Sequence, residues 1–287
     1  MTPLYREFDH EELAREYSPS TCVDDLAAEL AAYADRSRAA YAALEVRTDL
    51  PYGAGPPELL DFFPAARSGA PLHVFVHGGY WQELDKTDSA FAAPDFTALG
   101  TAYAAVGYGL APGWPLDAIV AQVRRAVHWL LDHAEDLGVD PHRVQLSGSS
   151  AGAHLAAMAL LGPASPRGRR VADAVLLSGV YDLEPITLTY VNDALGLDPA
   201  AARRNSPLLL LADHPPGEPL PPLLLAVGEH ETGEFARQQE EFAAAARKAG
   251  VPVEAVVVAG RNHFDLPLDL GRPDTPLGAA VTARLAP

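Results

Sequence analysis

The stretch Val144-Gln145-Leu146-Ser147-Gly148-Ser149-Ser150-Ala151-Gly152-Ala153-His154-Leu155 constrains this chain more than any other. A short apolar run enters a Gly-x-Ser-x-Gly turn and leaves directly into an alanine-rich segment of helical composition. Such a junction requires a strand ending at a sheet edge and a helix packed back against it, the repeating unit of a parallel α/β sheet. The surrounding sequence keeps the same rhythm. Apolar runs over Leu59–Phe63, Leu72–His77, Tyr103–Tyr108, Val144–Ser147, Ala174–Ser178, Leu223–Val227 and Val253–Val258 predict strands. Segments Leu116–Leu137, Ala151–Leu161, Glu234–Ala249 and Leu277–Leu285 predict the intervening helices, with Gly138 and Gly250 as C-terminal stops. At 287 residues, a fold of this type is expected to form one domain around one sheet.

Two regions depart from that rhythm. Residues 1–50 read as a helical appendage packed on the main body, with Leu26, Leu30, Tyr33, Ser37, Tyr41 and Leu44 recurring at spacings of three and four. Residues 181–222 are proline-rich and without clean periodicity, which predicts a partial cap inserted at the carboxyl edge of the sheet.

The strand-turn-helix context gives the Gly-x-Ser-x-Gly segment its chemistry. A sharp turn projects one hydroxyl above the sheet edge, and small neighbours let the backbone approach it. Ser150 is then the nucleophile, with Ser149 at the variable position. Unpaired N–H groups at the helix start favour an oxyanion, which makes Ala151 N–H one expected donor. A second comes from Gly78 and Gly79, where the strand before Tyr80 and Trp81 ends in a glycine turn. This pattern resembles the α/β-hydrolases, in which the triad runs Ser, acid, His along the chain. His263 follows the last predicted strand and is the expected base. His154 sits on the helix after Ser150 and is expected to pack or face solvent, and His230 lies too near the acid segment. His128, His133, His142 and His214 read as helix or loop surface residues. Among the carboxylates after Leu223–Val227, Glu231 is the expected acid, and Asp182, also after a strand, competes with it.

His77-Gly78-Gly79-Tyr80-Trp81 resembles the HGGxW motif of the arylformamidases, or kynurenine formamidases. The likeness extends to Tyr52-Gly53, Leu60-Asp61, Gln82, Asp85-Lys86 and Ser149 through Leu155, and is weakest in the first fifty residues and the cap. In that family the acid lies in a segment like G-x-x-D-S-P-E-F, which maps onto Gly228, Glu231, Thr232, Gly233, Glu234 and Phe235, with glutamate in place of aspartate. The resemblance implies an α/β-hydrolase fold and hydrolysis of an N-formyl aryl amine, such as N-formyl-L-kynurenine, without metal or organic cofactor. Tyr80 and Trp81 are expected to offer the substrate an aromatic wall, though Trp81 suits a core position equally well. A broad-range carboxylesterase and a non-catalytic binding protein on the same scaffold are the alternatives, since fold alone does not choose a substrate.

Composition narrows the partners. Formal charge is 21 minus 38, or −17, so the surface repels nucleic acid and anionic lipid. Cys22 is the sole cysteine, which leaves no intramolecular disulfide and fits a reducing cytoplasm. The polar, acidic start lacks the pattern of a signal peptide, and no stretch has the apolar length of a membrane span. The expected partner is a small-molecule substrate; homodimerisation is left open.

Overall fold

A computed structural model describes residues 3–162, 165, 171–214 and 218–285. Eight strands form one sheet in the order β1-β2-β4-β3-β5-β6-β7-β8. They are β1 (Arg47–Pro51), β2 (Leu59–Phe63), β3 (Ala70–Val76), β4 (Ala102–Val106), β5 (Val139–Ser149), β6 (Asp173–Leu177), β7 (Leu223–His230) and β8 (Val253–Asn262). β1, β2 and β4 pair antiparallel, and the rest of the sheet is parallel. All seven predicted strands are present. β1 was not foreseen, because its residues are mostly exposed and carry no apolar alternation.

The helices are α1 (His10–Glu16), α2 (Leu26–Ala43), α3 (Ala93–Ala98), α4 (Leu116–Asp132), α5 (Ala151–Leu160), α6 (Asn192–Leu195), α7 (Pro199–Arg204), α8 (Pro207–Ala212), α9 (Gly233–Lys248) and α10 (Pro276–Ala283). Gly250 follows the end of α9 with φ of +82° and its N–H on Arg247 O, as a C-terminal stop should. α4 instead ends at Asp132, so Gly138 (φ +74°) closes the turn that leads into β5.

Side chains alternate across each strand, and both faces of the sheet are covered. Along β3, Leu72, Val74 and Val76 face one core with Ile119, Val123 and Leu130 of α4 and Phe242 of α9. Phe75 faces the other, with Tyr33 of α2, Phe96 of α3 and Val281 of α10. β3 lies between β4 and β5, so the chain reverses its direction of travel across the sheet there. Open α/β sheets place ligands beyond the carboxyl ends of the strands at such a switch point. Among the described residues, no helix is long and apolar enough to cross a membrane.

Candidate active site

Ser150 follows β5 and is the N-cap of α5, at φ +55° and ψ −120°. A non-glycine residue rarely adopts this conformation, and two features hold it there. Its N–H donates to Leu177 O at the end of β6 at 2.8 Å, and its carbonyl accepts from His154 N at 3.1 Å as the first bond of the helix. A side chain at Gly152 would run into the carbonyl oxygens of Val76 and His77, so only glycine lets α5 start this close to β3. Ala151 begins the helix, and its N–H therefore has no intrahelical acceptor.

The loop after β3 approaches from the other side. A Cβ on Gly78 would lie 3.2 Å from Ser150 Cβ, which brings this backbone directly beside the serine. Gly79 (φ +91°), Tyr80 (φ +48°) and Trp81 (φ +61°) are all left-handed, and the carbonyl of Gly79 accepts from Gln82 N and Glu83 N at 2.8 and 2.9 Å. The orientation of this turn is fixed from behind. Tyr108 Oη donates to His77 O at 2.7 Å and reaches Gly78 O at 3.1 Å, while His77 Nδ1–H bonds Gly78 O at 2.9 Å. Each peptide is planar, so fixing the carbonyls of His77 and Gly78 also fixes the N–H groups of Gly78 and Gly79. His77 stacks on Tyr108 with centroids 4.0 Å apart, and burial lowers its pKa to about 4, which keeps it neutral.

His263 and Glu231 meet at the ends of β8 and β7. His263 Nδ1–H donates to Glu231 Oε2 at 2.7 Å, and the two side chains are 5% and 1% exposed, so water does not compete for the bond. The other carboxylate oxygen accepts from Ser178 Oγ at 2.6 Å and from Gly228 N at 2.7 Å. This contact uses Nδ1 and leaves His263 Nε2 to face a different partner. Ser150 and His263 line one cavity of about 230 Å³ together with Gly78, Gly79 and Tyr80. No hydrogen bond joins Ser150 to His263 among the described residues; such contacts are often long before substrate arrives. Asp182 lies elsewhere. Its carboxylate accepts from Glu184 N at 3.0 Å within its own turn, and its backbone is held by Gln238.

Trp81 requires a correction. The expected aromatic wall includes it, yet its side chain is fully buried and it is not among the cavity-lining residues. The indole N–H donates instead to His154 Nδ1 at 3.1 Å, and His154 Nε2–H donates to Asn205 O at 2.7 Å. His154 is thus a satisfied core residue, its pKa lowered to about 4 by burial. Tyr80 does line the cavity, and its hydroxyl donates to Tyr17 O at 2.7 Å.

Part of the wall comes from a region that sequence reasoning treated as an appendage. Leu26, Leu30 and Tyr33 of α2 line the cavity, as do Pro19 and Ser20 ahead of it. From the expected cap, Tyr190 and Val191 contribute, and residues 215–217 of that segment lie outside the described residues. Sequence reasoning also missed Ser178, which closes on Glu231, and Tyr108, which closes on the glycine turn. Both follow strands that were recognised, so the position was visible and the partner was not.

Comparison with known proteins identifies the fold and the family. The family described as alpha/beta hydrolase fold matches residues 73–265. Kynurenine formamidase of Danio rerio is 34% identical over 275 residues, covering 91% of this chain and 92% of that protein. Kynurenine formamidase of Salmo salar is 33% identical, with the same coverage. Among solved structures, a Silicibacter sp. TM1040 protein provisionally described as a thioesterase superposes with a TM-score of 0.83 at 27% identity, covering 94% of this chain and 99% of its own. The chain is a hydrolase and belongs to the kynurenine formamidase family of α/β-hydrolases.

Proposed function

We propose that this chain hydrolyses N-formyl aryl amines, N-formyl-L-kynurenine among them, through a formyl-enzyme on Ser150. The observation that carries the reading is the dry His263–Glu231 contact at 2.7 Å, on the same cavity as a serine held in a strained strand-to-helix turn. Kynurenine formamidase relatives that cover nine-tenths of the chain support the substrate class.

In this mechanism His263 Nε2 takes the proton of Ser150 as Oγ attacks the formyl carbon. Glu231 holds the ring through Nδ1–H and stabilises the imidazolium that forms. Charge developing on the formyl oxygen is met by the N–H groups of Ala151, Gly78 and Gly79, whose directions are set before substrate binds, so little reorganisation is required. The imidazolium then gives its proton to the departing aryl amine, and the carbon–nitrogen bond breaks. Water attacks the formyl-enzyme with His263 again as base, and formate leaves with Ser150 restored. The route draws on no metal or organic cofactor.

Turnover across formyl, acetyl and butyryl derivatives of one aryl amine, with the matching aryl esters, tests this reading. A site shaped for formyl loses efficiency at each step. A methylene that the pocket accommodates changes transition-state binding by about 1 to 3 kcal/mol, so a formyl preference well beyond roughly 200-fold indicates steric exclusion by the glycine turn. Butyrate esters outperforming the formyl amine would replace the formamidase reading with the carboxylesterase one.

A further inference from the structure

We infer that Glu29 and Tyr33 of the N-terminal helix α2 are positioning residues for catalysis, acting by clamping the two residues that flank His263. The inference rests on the reading of His263 as the base, and extends it to residues that touch no reacting atom.

Glu29 and Tyr33 stand four residues apart, so they project from the same face of α2 about one turn apart. Glu29 Oε1 accepts from Asn262 Nδ2 at 2.8 Å. Tyr33 Oη donates to the backbone carbonyl of Phe264. One contact thus falls immediately before His263 and the other immediately after it. Asn262 is fixed further, since its Oδ1 accepts from Phe264 N at 2.7 Å and Asp265 N at 2.9 Å. The loop carrying the imidazole is therefore tied both to itself and to α2. Tyr33 is held in turn by stacking on Phe91, with centroids 5.2 Å apart.

The same N-terminal stretch reaches the other catalytic loops. Glu16 O accepts from Thr232 Oγ1 at 2.5 Å, beside Glu231, and Glu16 Oε2 accepts from Glu234 N at 3.1 Å. Tyr17 O accepts from Tyr80 Oη on the glycine turn. A segment that only covered the cavity would not need bonds to the neighbours of the acid, the base and the oxyanion turn. Of these contacts, the pair on Asn262 and Phe264 bears most directly on chemistry. Displacement of a general base by about 1 Å costs on the order of 100-fold in rate.

The test uses Glu29→Ala, Glu29→Gln, Tyr33→Phe and the Glu29→Ala/Tyr33→Phe double variant. kcat is normalised to the serine titrated by a fluorophosphonate, and thermal unfolding is followed in parallel. Clamping predicts a fall in kcat of about tenfold or more in the double variant, with KM within about twofold of the parent. Glu29→Gln keeps an oxygen that can accept from Asn262 and should retain most of the activity that Glu29→Ala loses. The loss must appear with both an N-formyl aryl amine and an aryl acetate, because the base serves both. That shared loss separates this inference from the substrate assignment: a chain that prefers esters still has to show it. Unchanged kcat per titrated serine in the double variant, or Glu29→Gln as impaired as Glu29→Ala, overturns the assignment. A raised KM with kcat retained overturns it too, making Tyr33 a substrate contact.

Discussion

Replacing Glu231 by glutamine tests its proposed role as the triad acid, and the structure fixes how the new amide must sit. Glu231 Oε1 receives two donors, Ser178 Oγ–H and Gly228 N–H, at 2.6 and 2.7 Å. The amide oxygen must take that position, since an NH2 there would face two donors. The NH2 is then forced toward His263 Nδ1, where the carboxylate oxygen had accepted at 2.7 Å. His263 Nδ1 can meet a donor only as an acceptor, so its proton moves to Nε2. The atom required to take the proton of Ser150 then carries one. A wrong-tautomer defect of this kind lowers kcat by about 10³ to 10⁴, equivalent to about 4 to 5.5 kcal/mol of transition-state stabilisation. Stability should hardly change, because all three buried hydrogen bonds survive with roles adjusted. Glu231→Ala differs: it strands Ser178 and Gly228 at about 1 to 3 kcal/mol for each buried group left unpaired. The assay is kcat with N-formyl-L-kynurenine, alongside urea unfolding. Turnover of Glu231→Gln within tenfold of the parent, or a larger loss in Asp182→Asn, would remove Glu231 from the triad.

Three further outcomes follow from the geometry. Ser150→Gly should be inactive yet at least as stable as the parent by urea unfolding, because relief of a left-handed serine, about 1 to 3 kcal/mol, outweighs the roughly 0.5 to 1 kcal/mol entropic cost of glycine; a clear loss of stability would show that the conformation is not strained. Trp81→Phe should leave KM for the formyl amine within about twofold while costing about 1 to 3 kcal/mol, since it leaves His154 Nδ1 buried without its donor; a large rise in KM with unchanged stability would return Trp81 to the substrate wall. Burial lowers the pKa of His73, His77 and His154 to about 3, 4 and 4, below an unfolded value of about 6.5, so the unfolded chain binds more protons between those limits. Their contribution to stability is intact above about pH 6.5 and is lost as pH falls toward 4; denaturant midpoints that rise on acidification through that window would contradict it.

Much of the fold was legible because its signals are local. Apolar runs marked seven strands, and the turn around Ser150 announced itself by the residues on either side. Glu231 and His263 were paired by chain order, and the structure joins them by a hydrogen bond that spans 32 positions. The misreadings have physical causes. β1 is an exposed edge strand and lacks the alternation that marks a half-buried one. Trp81 follows a glycine turn, and an aromatic there reads alike whether it faces a cavity or a core. The contacts of Glu29 and Tyr33 cross 233 and 231 positions. The helical spacing that revealed α2 says which face is buried and nothing about what lies under it. Ser178 and Tyr108 were hidden for a related reason: a polar residue at a strand end has no sequence signature for the loop it will meet.

The proposed mechanism stands on Ser150, which lines one cavity with His263, as the nucleophile. Peptide mass spectrometry after reaction with a fluorophosphonate, with and without N-formyl-L-kynurenine present, tests it most directly. One adduct per chain is expected, on the peptide that carries Ser150, forming more slowly in the presence of the formyl amine. An adduct on another residue, or labelling of Ser150 that the formyl amine leaves unaffected at concentrations far above its KM, would contradict it.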